Sequence, residues 1–279
     1  MNEVDLAEDE RWLDPALIPD ADRARLLTLD EVLPWLVSPD TQQPLALSED
    51  RRWLEAGGEH FPILDGLPLL YPARVQQYAK EGMLDVPADG DDALAKYLHI
   101  SGLKQFHEPT NSEHTDINYL KHVYRARRLM SKASGTVLDV GCDVPEISRA
   151  FFPESAEYVG LEPTYSDRSQ FRVIGIAEFL PFRDRCFDNV ALLTSLDHIL
   201  DYHTAIDEAW RVLRPGGTLF LATLVWVDDA QIYHDHIHFH HFRDFEVLGI
   251  LRRFSIRSLG RYTWKGNTHR FGWYVSAVK

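Results

Sequence analysis

Between Thr136 and Leu224 short apolar strands alternate with helical stretches, and this alternation limits the fold more than any other feature of the chain. TVLDVG, EYVGLE, RVIGIA, DNVALLTS and GGTLFLATL are apolar and β-branched in the manner of strands buried on both faces. Strand, helix, strand in that order predicts a parallel sheet covered on both sides. The clearest connecting helix is HTAIDEAWRVLR, with Ile206, Ala209, Trp210 and Leu213 on one side and Pro215, Gly216 and Gly217 stopping it. FSIRSLGRYTW and RFGWYVSAVK, joined through KGN, read as a closing antiparallel pair. The expected fold class is α/β: a doubly wound, mostly parallel seven-stranded sheet with a small β-rich domain ahead of it.

In such a sheet a ligand lies across the carboxyl ends of the strands, where the strand order reverses. There the first strand enters LDVGCDVPEIS, residues 138–148. Asp139 and Gly141 begin it as a nucleotide-holding loop would begin, but Asp143 and Pro145 stand where further glycines would let the backbone approach a ligand. Glu162 ends the second strand about twenty residues later, the spacing at which an acid meets ribose hydroxyls. Pro145 suits the first turn of a following helix, where its missing N–H costs nothing.

From Val137 to about Leu224 the chain resembles the class I S-adenosylmethionine-dependent methyltransferases. The resemblance rests on VLDVGCD, YVGLEP, GIAEFLPFRDRCFDNV, and SLDHILD with RVLRPGGTLFLAT, in that order. The third run is similar to the G-D-A-E-x-L-P-F-x-D-x-x-F-D pattern of the quinone-biosynthesis type. It implies S-adenosyl-L-methionine as cofactor, with Asp139, Gly141 and Cys142 at its methionine end. Asp143 would accept from the α-ammonium or cap the next helix. Glu162, followed by Pro163, would hold the ribose hydroxyls. In the run Ile176, Ala177, Glu178, the backbone N–H of Ala177 would meet the adenine ring, and Thr194 and Ser195 would face the cofactor at the end of the fourth strand. Ile176 departs from the family pattern, in which an acid stands there and accepts from the adenine amino group.

Transfer of a sulfonium methyl group is an in-line displacement, so the protein mainly positions the reactants and excludes water. An alcohol or protonated amine acceptor gains about 10²- to 10⁴-fold from a general base. His198, in SLDHILD, is one candidate, with a structural role as the competing reading. The second place is YHDHIHFHHF, Tyr233 to Phe242, which follows the fifth strand. If extended, its period of two sets His234, His236, His238 and His240 on one face. His236 and His238 are the candidate bases or substrate contacts there. The spacing also suits a metal, although none is expected, and a polar loop leading into the helix FRDFEVLGILRR is the plain alternative.

Four segments are expected: an acidic arm (1–27), a small β module (28–72), a helical linker or lid (73–135) and the α/β domain (136–279). From Asn2 to Glu31 ten acids face three bases, which predicts that the first half of the arm is solvated or loosely docked. Thr28 and Glu31 have the spacing of a capping box. The β module resembles the zinc-ribbon-like domain of the tRNA methyltransferase activator family, most closely in HFPILDGLPLLYP. That family's cysteine positions are Ser38, Thr41, Leu54 and Gly57 here, none a thiolate, so a ribbon metal is not expected.

With 29 Lys and Arg against 43 Asp and Glu, the net charge of −14 disfavours a nucleic-acid partner. Two cysteines, an acidic N-terminus without an apolar core and no long apolar run point to a cytoplasmic protein off the membrane. The first reading is methyl transfer to a small molecule through an O, N or C nucleophile. RNA or protein methylation, another S-adenosylmethionine reaction such as cyclisation or alkyl transfer, and a non-catalytic regulatory role are the alternatives. A homodimer or a protein partner through the N-terminal domain is also left open.

Overall fold

The computed structural model describes residues 19–80, 83–84, 86, 92–98, 117–164, 170–227, 238–263 and 269–279. The N-terminal half supplies β1 (Arg25–Leu26) and a small antiparallel sheet of β2 (Ala46–Leu47), β3 (Trp53–Ala56), β4 (Glu59–Leu64) and β5 (Leu67–Pro68). A hairpin of β6 (Ala79–Lys80) and β7 (Met83–Leu84) follows. The large sheet is built from β8 (Gly135–Val140), β9 (Ala156–Glu162), β10 (Val173–Ile174), β11 (Phe187–Leu193), β12 (Leu213–Trp226), β13 (Ser255–Thr263) and β14 (Arg270–Val278).

Its strand order is β1, β9, β8, β11, β12, β14, β13, with β10 beside β1 on the outer edge of β9. All contacts from β1 and β10 to β12 are parallel, and β14 runs antiparallel between β12 and β13. This is the expected doubly wound, mostly parallel sheet, and Arg25–Leu26 adds an eighth strand to the seven expected. The middle strands are buried almost throughout, as their unbroken apolar runs require. The helix Tyr202–Val212 buries Ala205, Ile206, Ala209 and Val212, and Asp201 caps it by accepting from the Thr204 N–H.

The end of the N-terminal arm is part of the core. Ala24 and Leu27 are buried, Arg23 donates to the Glu146 carbonyl, and Arg149 pairs with Asp20. Residues 1–18, where the solvated half of the arm was expected, lie outside the described residues. The capping box forms, with Glu31 accepting from both the N–H and the hydroxyl of Thr28.

In the small sheet Ser38 is buried and its Oγ accepts from the N–H groups of Asp40 and Thr41. Thr41 Oγ1 donates to Glu59 at 2.9 Å, while Leu54 is fully buried. Hydrogen bonds therefore engage Ser38 and Thr41, and apolar packing engages Leu54. The module docks edge-on to the large sheet: Leu69 bridges Ile174, Leu70 N donates to Ile174 O at 2.7 Å, and Val37 N donates to Pro181 O at 3.0 Å. Leu36, Leu45, Leu54 and Phe61 share one apolar cluster with Leu138, Val159 and Val190 of the large sheet.

Candidate active site

The carboxyl ends of β8, β9 and β11 meet at the predicted loop. Asp139 lies opposite Gly160 in the parallel pairing of β8 and β9, two residues before the acid at the end of β9. Its carboxylate is buried. Oδ2 accepts from Tyr158 Oη at 2.8 Å, and buried Oδ1 has no hydrogen-bond partner among the described residues. Burial pushes this carboxyl up to about 7 against the opposing pull of the Tyr158 hydrogen bond.

The chain then turns across the end of β9, where Gly141 N and Cys142 N both donate to Leu161 O. Gly141 has φ +78°, and a Cβ there would lie 2.5 Å from Ser195 Cβ, so no other residue fits the turn. Ser195 Oγ donates to Val140 O at 2.7 Å and ties the end of β11 to that of β8.

Asp143 occupies the left-handed region as well, at φ +50°, and so adopts a glycine-like conformation where a glycine was expected. Its N–H donates to Glu162 Oε2 at 3.0 Å, and Thr164 Oγ1 donates to Glu162 Oε1 at 3.0 Å. Burial first, then the charge of Asp143, pushes the Glu162 carboxyl up to about 7. Pro145 takes the first helical turn as predicted, but the N-cap is Val144 and carries no side-chain cap. The capping role considered for Asp143 is thereby corrected: the chain is still turning at Asp143, one residue ahead of the helix boundary. Cys142 is buried against Gly160, where a Cβ would meet its sulfur at 2.4 Å, and burial raises its thiol well above the ordinary range.

Ile176 is placed differently. It lies in an apolar cluster with Leu67, Leu69, Tyr71, Val75 and Ile174, where a buried acid would lack compensation. Ala177 and Glu178 form the following turn, and Glu178 accepts from Asp201 N, facing the start of the helix Tyr202–Val212. Thr194, at the end of β11, has φ +59°, a strained value for a β-branched residue.

Beyond it lies a second cluster of polar side chains. Asp197, His198 and His238 come together: the imidazole rings of His198 and His238 are 5.1 Å apart, and His238 Nε2 lies 3.7 Å from Asp197 Oδ2. The loop carrying His238 is fastened by its backbone, since Phe239 N and His240 N both donate to Asp197 O. Tyr97, from the helical residues 93–98, packs its ring 4.5 Å from that of Phe239. His234 and His236 lie outside the described residues.

Three site residues escaped the sequence reasoning. Tyr71 is fully buried and donates its hydroxyl to Pro163 O at 2.7 Å, so the N-terminal module braces the loop after Glu162. Arg172 is fully buried and its charge opposes the rise in the Glu162 carboxyl. Asp197 was visible only as a neighbour of His198. A tyrosine closing the apolar run LPLLYP and an arginine heading a buried strand were the available signals.

Residues 138–221 match the family described as "Methyltransferase domain". The ubiquinone biosynthesis O-methyltransferase of Rattus norvegicus is 28% identical over 148 residues, 46% of this chain and 39% of its own length. A demethylmenaquinone methyltransferase of Staphylococcus aureus is 40% identical over 72 residues, 26% of this chain and 30% of its own length. The chain thus spans less than half the length of either relative. Among solved structures, the 1,6-didemethyltoxoflavin-N1-methyltransferase of Burkholderia thailandensis has the same fold, with a TM-score of 0.50 and 18% identity. The match covers 71% of this chain and 93% of that protein, whose structure holds 1,6-didemethyltoxoflavin and S-adenosylhomocysteine.

Proposed function

We propose that the chain transfers a methyl group from S-adenosyl-L-methionine to a small molecule. The observation that carries this reading is the junction of β8 and β9, where two buried carboxylates, Asp139 and Glu162, flank a turn that only glycine at position 141 can make. When bound, the cofactor supplies a methyl group on a positively charged sulfur, ready for displacement.

The residues fit such a group. Asp139 Oδ1, buried and without a hydrogen-bond partner among the described residues, offers an acceptor toward the methionine end. Asp143 carries a second charge beside it for the α-ammonium. Glu162 presents a carboxylate to two ribose hydroxyls, held in place by Asp143 N and Thr164 Oγ1. At the adenine end Ile176 gives an apolar wall in place of an acceptor, so the ring is held by packing and by the Ala177 N–H. Thr194 and Ser195 close the side facing the fourth strand.

On the acceptor side His198 and His238 are the groups that neutralise a departing proton, and Asp197 positions the second of them. A hydroxyl-bearing small molecule is the favoured acceptor, since an aromatic carbon or thiolate has less need of two imidazoles. The segment 92–98, packed on Phe239, serves as the lid that excludes water. The N-terminal sheet is read as a ribbon-like brace that has replaced its metal with packing.

Calorimetric titration with S-adenosylmethionine tests the reading. Binding in the micromolar range is expected, and no binding below about 1 mM would remove it. Incubation with phenolic acceptors and detection of the methylated product by mass spectrometry then tests the acceptor class.

A further inference from the structure

We propose that Asp197, His198 and His238 bind a divalent transition-metal ion that takes up the acceptor's hydroxyl oxygen. The role in the reaction rests on the methyl-transfer reading above; the binding itself does not. One donor atom from each of the three residues lies within 4.8 Å of the other two, and the Asp197 to His238 pair is at 3.7 Å. A tetrahedral ion with donors at about 2.1 Å separates them by about 3.4 Å, so small side-chain rotations close the set. Two imidazoles and one carboxylate suit zinc and neighbouring first-row ions, and three protein ligands leave a coordination position open, as in catalytic sites.

Two further features favour a built site over a chance meeting of side chains. The carboxylate is 1% exposed, and the second histidine comes from a different strand end, on a loop whose backbone N–H groups at 239 and 240 both bind the carbonyl of Asp197 itself. The rings of Trp226 and Phe239, each 6.5 Å from one of the two imidazoles, form an apolar surround. The site also follows directly on Thr194 and Ser195, which places it beside the cofactor loop.

A metal there lowers the pKa of a coordinated acceptor hydroxyl, whose proton leaves to solvent. An oxygen lone pair then forms the new O–C bond as the S–C bond breaks, and sulfur keeps that electron pair as a neutral thioether. With the ion bound, His198 and His238 act on the acceptor through it and no longer take the proton themselves.

The full chain, freed of metal with a chelator, is titrated with Zn²⁺ in a calorimeter and with Co²⁺ by visible absorption. One ion per chain is expected. His238→Ala and Asp197→Asn are each expected to weaken binding by at least about tenfold, while His203→Ala, an exposed histidine on the next helix, leaves it unchanged. Because Asp197 is buried and its exchange can unfold the chain, the loop variant His238→Ala is decisive once circular dichroism shows it folded. No binding, or binding of equal affinity in His238→Ala, overturns the site. S-adenosylmethionine affinity is measured in parallel on metal-free protein. Zn²⁺ binding without cofactor binding upholds the site and removes the reading of the reaction. Cofactor binding without Zn²⁺ binding overturns the site and returns the two imidazoles to direct proton transfer.

Discussion

Gly141 and Asp143 adopt the same left-handed backbone region two residues apart, at φ +78° and +50°. At Gly141 the conformation and the contact with Ser195 exclude any side chain. Gly141→Ala is therefore expected to reduce cofactor affinity by at least about tenfold and to cost about 1–3 kcal/mol in stability, measured by calorimetry and denaturant titration. At Asp143 an L-residue tolerates the strain, so the retained feature is the charge. Asp143→Asn is expected to weaken S-adenosylmethionine about tenfold yet leave 5′-methylthioadenosine, which lacks the α-ammonium, bound as before.

Asp139 and Glu162, both held near 7 chiefly by burial, make a pH prediction. Each has a folded-state pKa above its unfolded value, so its contribution to stability is fully present below about pH 4 and lost as pH rises through about 7. An ammonium group and ribose hydroxyls favour the ionised forms, so cofactor binding at neutral pH should release protons. Binding heats compared in buffers of different ionisation enthalpy measure this, and proton uptake would contradict the placement.

At this scale the sequence made Asp139, Gly141 and Glu162 legible because a strand end, a turn and a twenty-residue interval are local signals. Ile176 was legible as a departure, but its reason lies in apolar neighbours supplied by β5 and the helix Ala73–Gln76, far away in the chain.

Among the elements, the join between the small sheet and β10 is the one most open to test. Leu70 N donates across it to Ile174 O, and Tyr71 Oη reaches Pro163 O beyond it. Tyr71→Phe leaves the half-buried Pro163 carbonyl short of its donor and is expected to cost about 1 kcal/mol while raising the cofactor dissociation constant. Leu70→Pro removes the bridging N–H and is expected to cost about 3 kcal/mol or more, seen as a fall in melting temperature.

The long strands β8, β9, β11 and β12 could be read from their apolar runs, and so could the antiparallel β13 and β14. RVIGIA forms only the two-residue strand Val173–Ile174, because its later residues leave the sheet to make the turn at Ala177. β1 had no such signal: Arg25–Leu26 sits in an acid-rich stretch, and its pairing is fixed by Glu157 and Tyr158 alone.

For the molecule as a whole, the shared apolar cluster means that the small and large sheets lose their cores together. A single calorimetric unfolding transition is expected, and two separated transitions would contradict the shared core. No described helix is long and apolar enough to cross a membrane.

The pairing of β1 with β9 also bears on how the chain is made. Arg25 pairs with Glu31 close by and with Glu157, 132 residues further on. During synthesis from the N-terminus, β1 waits for β9 to emerge, and the end of β5 waits in turn for Ile174. The outer edge of β9 is then covered by chain made much earlier, a long loop closure that is slow to form. Until that pairing forms, a parallel edge stands open beside Glu162.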